Sequence, residues 1–265
     1  MGQTIACANQ KGGVGKTTTV VNLAAFLALA SERVLVIDLD PQGNATSGLG
    51  LDRSSLETSV YDGVIDGLGL EDVMVEGPLG IDVVPSAIAL AGAEVELAPL
   101  EARERRLARL IGAIAPRYDY VLVDCPPSLG LLTVNGLFAA DCALVVTEPG
   151  AWATDGVAQM LRTIERISER RREPLGVAGI VVNRLGRTRD GQYWYQQLAE
   201  LYPRLVLPPV HLRAAIAEAA AQSLPLHMLG PRPGAAEAAA EFDALFRRVV
   251  LATRPRPGGS VDAEL

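Results

Sequence analysis

Gln10-Lys11-Gly12-Gly13-Val14-Gly15-Lys16-Thr17-Thr18 joins a short apolar run, residues 4–8, to an alanine- and leucine-rich stretch, residues 16–30. A glycine-rich turn that leaves a strand and opens a helix is the setting of a phosphate-binding loop, because the first N–H groups of a helix have no partner inside it. Gly12, Gly13 and Gly15 let the backbone curl until those groups point inward at a β-phosphate. Lys16 then reaches the β- and γ-phosphates, the Thr17 hydroxyl holds Mg²⁺, and Val14 and Thr18 complete the nucleotide-binding set. The usual pattern G-x-x-x-x-G-K-[ST] opens with glycine, but position 10 is Gln10 and a lysine, Lys11, follows. Among 24 basic residues only Lys11 and Lys16 are lysine, and both lie in this loop. Arginine replaces lysine readily on a surface, less so where a compact ammonium must fit between phosphate oxygens.

Outward from the loop, apolar runs of strand length recur at 33–38, 81–85, 120–124, 143–147, 179–183 and 205–207. Most are continuous rather than alternating, as in strands buried on both faces of a parallel sheet. Helix-length segments lie between them, at 101–114, 157–172, 192–201, 214–222 and 235–250. This alternation predicts right-handed crossovers and an α/β fold: a doubly wound, mostly parallel sheet with helices on both faces. One domain is expected over residues 1–252, followed by a Pro- and Gly-rich tail, 253–265, expected to be flexible.

Lys11-Gly-Gly-Val-Gly-Lys-Thr-Thr18 resembles the deviant Walker A loop of the ParA/MinD superfamily of dimerising P-loop ATPases. Asn9-Gln10-Lys11, Asp38-Leu-Asp-Pro-Gln-Gly-Asn-Ala-Thr-Ser-Gly-Leu-Gly50, Ala91-Gly-Ala-Glu-Val-Glu-Leu97 and Tyr118-Asp-Tyr-Val-Leu-Val-Asp-Cys-Pro-Pro-Ser-Leu-Gly-Leu-Leu132 are similar to the chromosomal ParA/Soj branch. The likeness is dense over residues 3–148 and thins afterwards. It implies that Lys11 is the signature lysine, which crosses a nucleotide-sandwich homodimer to phosphates held by the other subunit. There it would act as an arginine finger does in trans. The resemblance also implies ATP and Mg²⁺ as cofactors, hydrolysis to ADP and phosphate, and non-specific binding to nucleoid DNA. A ParB-like protein or other cargo adaptor would stimulate turnover. Segments 43–50 and 126–135 stand where switch I and switch II would lie.

Asp38 and Asp40 close one apolar run and Asp124 closes another. In a doubly wound sheet such strand ends open onto the ligand crevice beside the phosphate loop. Asp124 accordingly reads as the Walker B carboxylate, acting on Mg²⁺ through a water, with Asp38 beside the same ion. Asp40 resembles the family's catalytic aspartate, which orients and polarises the attacking water; with Lys11 and Lys16 it makes the catalytic set. Asp-Pro also signals turns, so a turn or helix-cap role stays open for Asp38 and Asp40. Val181-Val-Asn-Arg184 resembles the place where an asparagine meets adenine, which makes Asn183 a base contact. Pro209, within Pro208-Pro-Val210, would flank the ring from the other side. The ParA/Soj run Ile-Pro-Arg-Asn-Val-Arg-Leu is replaced here by Val210-His-Leu-Arg-Ala-Ala-Ile216.

Net charge over the 265 residues is −7, so any DNA contact needs a local patch. Arg184, Arg187 and Arg189 follow Asn183, and Arg213 lies further on; the resemblance makes these four the DNA-binding candidates. Arg162, Arg166 and Arg170 form a second stripe, but Glu165, Glu169 and Glu173 interleave with it and read as a solvated, salt-bridged face. With 49% hydrophobic and 21% charged residues, the chain is neither disordered nor a coiled coil. Its three cysteines make no CxxC pair, which argues against a zinc or cluster site. No apolar run approaches the ~20 residues of a membrane span. Pro and Gly break the last residues as an amphipathic anchor, which sets a MinD-like membrane role behind the ParA-like one. A metabolic P-loop relative would need a substrate site that the sequence does not locate. No export signal precedes the first strand, so a cytoplasmic setting is expected, and the resemblance implies that it is nucleoid-associated. The cargo stays open among chromosome, plasmid and protein assembly.

Overall fold

The computed structural model describes residues 2–253. Among them lie β1 (Gln3–Ala8), β2 (Val34–Asp38), β3 (Val75–Glu76), β4 (Asp82–Val84), β5 (Tyr120–Asp124), β6 (Cys142–Thr147) and β7 (Gly176–Val182). They build one sheet in the order β3-β4-β2-β5-β1-β6-β7. All neighbours run parallel except β3, which pairs antiparallel with β4 at the edge. The helices are α1 (Lys16–Leu29), α2 (Asn44–Gly48), α3 (Ala93–Leu97), α4 (Arg106–Ile114), α5 (Leu131–Ala139), α6 (Ala153–Ser168), α7 (Arg189–Leu201), α8 (Ala214–Ala221) and α9 (Ala235–Thr253).

Because every second side chain of a strand points to the same face, the continuous apolar runs feed two cores. Ala6, Leu35, Val121, Val123 and Ala143 pack against α4, α5 and α6 through Leu107, Leu137 and Met160. Ile5, Val36, Leu122 and Leu144 pack against α1 and α9 through Leu23, Leu27, Phe242 and Phe246. Each fully buried Val, Leu, Ile, Met or Phe among these contributes about 1.5–3 kcal/mol, so both faces are held by burial rather than by surface pairs. The alternation also fixes the site. The helix after β1 goes to one face and the helix after neighbouring β5 goes to the other, so the loops leaving those strands part and open a crevice.

The doubly wound, mostly parallel sheet agrees with the reading of the sequence; several elements differ. Residues 205–207 form no strand but a single parallel bridge, Ile180 to Val206, with Ile180 N–H donating to the Leu205 carbonyl. β3 and α5 were not expected. α5 is apolar nearly all round (Leu131, Leu132, Val134, Leu137, Phe138), so it has no polar face to reveal a helical period. Gly136 sits inside it because a Cβ there would stand 2.8 Å from Cys125 Sγ. α6 covers Ala153–Ser168 rather than 157–172. Past its end, Arg171 turns inward and donates to the carbonyls of Leu137 and Ala140, which lets the chain reverse into β7. The helix expected at 101–114 begins only at Arg106, since Ala102 adopts a left-handed φ of 47°. Thr253 closes α9 with its side chain buried; the rest of the tail expected at 253–265 lies outside the described residues.

Candidate nucleotide-binding site

The loop after β1 leaves the centre of the sheet, with β5 on one side and β6 on the other. Gly13 (φ 76°) and Gly15 (φ 93°) hold it in the left-handed region. A side chain at Gly15 would also collide with Asn183, whose Nδ2 lies 2.1 Å from the site of a Cβ. Val14 is fully buried and pins the loop from below, while Gly12, Gly13, Gly15, Lys16, Thr17 and Thr18 line a cavity of ≈ 490 Å³ shared with Asp40. That volume is in the range of a small-molecule site. Lys16 is 6% exposed and its Nζ donates only to the Lys11 carbonyl, at 3.3 Å. Burial lowers its pKa, and the nearby Asp124 and Asp40 oppose that shift. A buried ammonium with a single weak partner inside a cavity calls for an anion.

Thr17 Oγ1 donates to Asp124 Oδ2 at 2.7 Å. The other oxygen, Oδ1, is buried with no partner, and burial together with Asp38 pushes the Asp124 carboxyl well above the carboxylate range. A buried oxygen left unpaired costs roughly 1–3 kcal/mol, which a divalent cation beside Thr17 and Asp124 would remove. These groups therefore fit Mg²⁺.

Asp38 does not. Its Oδ2 accepts from the Thr46 N–H (2.8 Å) and hydroxyl (2.7 Å), its Oδ1 from the Asp40 N–H (3.1 Å), and it does not line the cavity. The Asp-Pro turn draws the carboxylate into the backbone of segment 43–50, so the metal reading narrows to Thr17 and Asp124. Asp40 does face the cavity; its Oδ1 accepts from the Gln42 N–H at 2.9 Å. Arg53 clamps the same turn by donating to the Pro41 and Gln42 carbonyls.

Asn183 is buried against the loop, with Nδ2 donating to the Gly15 carbonyl at 3.4 Å. It opens onto a second cavity of ≈ 200 Å³ whose opposite wall is His211, Leu212 and Arg213. Pro209 does not line it. Leu185 N–H donates to the Val210 carbonyl and Leu185 bridges His211, so the chain runs alongside the 184–185 segment only from Val210 onward. The altered run after Pro209 is thus the part that faces Asn183.

Comparison with known proteins extends beyond the loop. The family model described as the AAA domain matches residues 2–177. The sporulation initiation inhibitor protein Soj of Bacillus subtilis is 41% identical over 240 residues, covering 89% of this chain and 95% of that protein. The chain belongs to the ParA/Soj family of P-loop ATPases. The chromosome partitioning protein ParA of Caulobacter vibrioides is 44% identical over 186 residues, 69% of this chain and 70% of that protein. Among solved structures, cobyrinic acid a,c-diamide synthase from Mycobacterium smegmatis, crystallised with an ATP analog and magnesium, superposes with a TM-score of 0.76. It is 36% identical and covers 84% of this chain and 92% of its own.

For a ParA/Soj-family chain the arginines are placed unevenly. Arg184, at φ 55°, donates to the Gly13 carbonyl (3.1 Å) and lies 3.7 Å from Glu148. Arg213 is ion-paired with Glu241 at 2.5 Å, and Glu241 also accepts from the His211 N–H and contacts its ring. Both are spent on the nucleotide side of the fold. Arg187 and Arg189 are exposed and, among the described residues, make no ion pair. The salt bridges expected along Arg162, Arg166 and Arg170 are not formed either: none of these lies within 4.0 Å of a carboxylate of the described residues. The interleaved glutamates sit at the right sequence spacing, but long exposed side chains have little to gain from closing such pairs.

Sequence reasoning passed over Glu148, whose Oε1 pairs with Lys11 Nζ at 2.6 Å. It directly follows β6 as Asp124 ends β5, so the rule that singled out Asp124 applies to it as well. Thr46 and Ser86 were also missed. No sequence signal marks them, because a buried hydroxyl and a surface one are the same letter.

Proposed function

We propose that this chain is an ATP-driven molecular switch of the ParA type, with ATP and Mg²⁺ as its cofactors and residues 1–252 as one ATPase domain. The observation that carries the reading is the opposite placement of its two lysines. Lys16 is turned into the cavity, and Lys11, five residues earlier on the same loop, is exposed at its mouth. One can hold phosphates in cis while the other, paired at the surface with Glu148, can be released toward a second subunit.

On this reading Lys16 and the loop amides bind the β- and γ-phosphates, and Thr17 and Asp124 hold Mg²⁺. That ion, when bound, supplies positive charge to the phosphate oxygens. Asp40 orients the attacking water, and Lys11 of one subunit offsets charge developing on the phosphates of the other. Dimerisation brings Arg187 and Arg189 from two subunits together for non-specific contact with nucleoid DNA. A ParB-like protein or other cargo adaptor stimulates turnover, and segregation or positioning of that cargo follows. The setting is cytoplasmic and nucleoid-associated. No helix of the described residues is long and apolar enough to cross a membrane.

The test is size-exclusion chromatography with ATP and Mg²⁺. Asp40→Ala should bind ATP and run as a stable dimer while releasing no phosphate. Lys11→Ala should bind ATP yet stay monomeric. A dimeric, fully active Lys11→Ala would end the proposal. A second reading, a metabolic synthase, draws on the name of the Mycobacterium smegmatis structure. It predicts ATP turnover that depends on a carboxylic acid and ignores DNA.

A further inference from the structure

Asp40 stands in a closed circuit of buried hydrogen bonds. Its N–H donates to Asp38 Oδ1 (3.1 Å), Asp38 Oδ2 accepts from the Thr46 hydroxyl (2.7 Å) and N–H (2.8 Å), and Thr46 Oγ1 accepts from the Ser86 N–H (3.0 Å). The Ser86 hydroxyl then donates to the Asp40 carbonyl (2.6 Å) and closes the ring. All four members are buried: Asp38 and Thr46 are 0% exposed, Ser86 2% and Asp40 7%. The ring ties together three separate pieces of chain, namely the end of β2, helix α2 and the segment after β4. Only one group attached to it reaches the nucleotide cavity, the carboxylate of Asp40.

We propose that Thr46 and Ser86 are positioning residues for Asp40, and that through them α2 sets where the Asp40 carboxylate stands relative to the phosphate loop. This rests on the reading of Asp40 as the water-orienting group. Two physical points carry it. The N–H and the carbonyl of Asp40 belong to the two peptide units that flank its Cα, so holding both restrains φ and ψ there and fixes the direction in which the side chain leaves the backbone, while the Gln42 N–H holds the carboxylate itself. And α2 lies in segment 43–50, so a shift of that segment reaches Asp40 through two hydrogen bonds, Thr46 to Asp38 and Asp38 to Asp40. Stability alone does not demand such a ring: the Asp40 carbonyl already accepts from the Gly43 N–H at 2.8 Å, so the Ser86 hydroxyl is a second donor to a satisfied group. A misplacement of about 1 Å can cost up to 10²-fold in rate, which makes this constraint measurable.

The experiment compares Thr46→Val, Thr46→Ser, Ser86→Ala and Asp40→Ala in the full-length chain. Phosphate release is followed at saturating ATP and Mg²⁺ with duplex DNA present, and ATP affinity is measured by calorimetry. Thr46→Val keeps the shape and loses the hydroxyl; it and Ser86→Ala should lower kcat roughly tenfold with ATP affinity unchanged within twofold. Thr46→Ser restores the hydroxyl and should restore kcat. A lowered melting temperature with kcat intact, or a Thr46→Ser as slow as Thr46→Val, would overturn the inference. Should Thr46→Val fail to fold, Ser86→Ala and Thr46→Ser decide alone. If Asp40→Ala itself hydrolyses ATP normally, the reading of Asp40 fails and this inference fails with it. If only Asp40→Ala is inactive, the reading stands and the ring is structural.

Discussion

Lys11 and Glu148 meet across the mouth of the cleft, Nζ to Oε1 at 2.6 Å, with the lysine side chain 61% exposed and the glutamate 25%. Glu148 also lies 3.7 Å from Arg184, so two cations share one carboxylate on the rim of the phosphate loop. A lysine that is to reach phosphates in a second subunit must first leave this partner. An exposed pair contributes about 0.2–1 kcal/mol. Each dimer breaks two such pairs, so Glu148→Gln should tighten the ATP-bound dimer by up to about 30-fold, read by sedimentation across an ATP titration. A weaker dimer would mean that Glu148 guides Lys11 instead of restraining it.

Gly15→Ala asks an alanine to hold a φ of 93° and to displace Asn183. The left-handed conformation alone costs about 1–2 kcal/mol, or roughly 2–8 °C in melting temperature for a chain of this size. Gly112→Ala is the matched control: it lies in α4 with nothing near its Cβ position. It should be neutral or stabilising by about 0.5–1 kcal/mol. Differential scanning calorimetry of the two variants tests the contrast, and equal losses would contradict it.

With Arg184 and Arg213 engaged elsewhere, each subunit offers DNA two free arginines in this region, Arg187 and Arg189. Four contacts per dimer, each contributing about −0.9, give a slope of log K against log salt of roughly −3 to −4. Binding to unrelated duplexes should be equal, since phosphates carry no base information. Fluorescence anisotropy with Asp40→Ala and ATP measures both. A slope steeper than about −5 would require a further basic surface, for which the unpaired Arg162, Arg166 and Arg170 are at hand.

Burial pushes the Asp38 carboxyl up to about 6, with the Thr46 donors opposing. Its folded value thus lies above its unfolded value of 3.8, so the folded chain binds this proton more tightly. The stability from this group is present at low pH, declines as pH rises from about 4 through about 6, and is flat above. Urea unfolding of the nucleotide-free chain from pH 4.5 to 7.5 should show that decline. The difference between the parent and Asp38→Asn carries it together with the relief of Asp124, whose carboxyl Asp38 helps to push up, and parallel curves for the two would exclude it.

Strands with buried faces and the glycine loop were legible because each leaves a one-dimensional trace: continuous apolar runs, and small residues where no Cβ fits. Asp124 was legible as the charged end of such a run. α5 was not, because a helix covered on nearly all sides has no amphipathic period. The surroundings of Pro209 and Arg213 were hidden for a different reason. The segment from Val210 departs from the familiar run, and its position depends on a pairing with Leu185 that no local pattern encodes. Asp38 was assigned to the metal because its place at a strand end is right. Which way a carboxylate turns is settled by the donors around it, and Thr46 lies eight residues away.

The strand that carries the phosphate loop precedes both of its neighbours by more than a hundred residues: Gln3 pairs with Tyr120 and Ile5 with Cys142. A growing chain cannot flank β1 until β5 and β6 have followed it, and cannot place Glu148 beside Lys11 until β6 has joined. Pairings this far apart in sequence are closed late and slowly. Any N-terminal fragment that stops before β5 therefore carries the full loop motif but no Asp124, no crevice and no means of covering Ile5 and Ala6. Such fragments should be sticky and unable to retain nucleotide, and the intact chain should refold in milliseconds to seconds with its binding site among the last features to form.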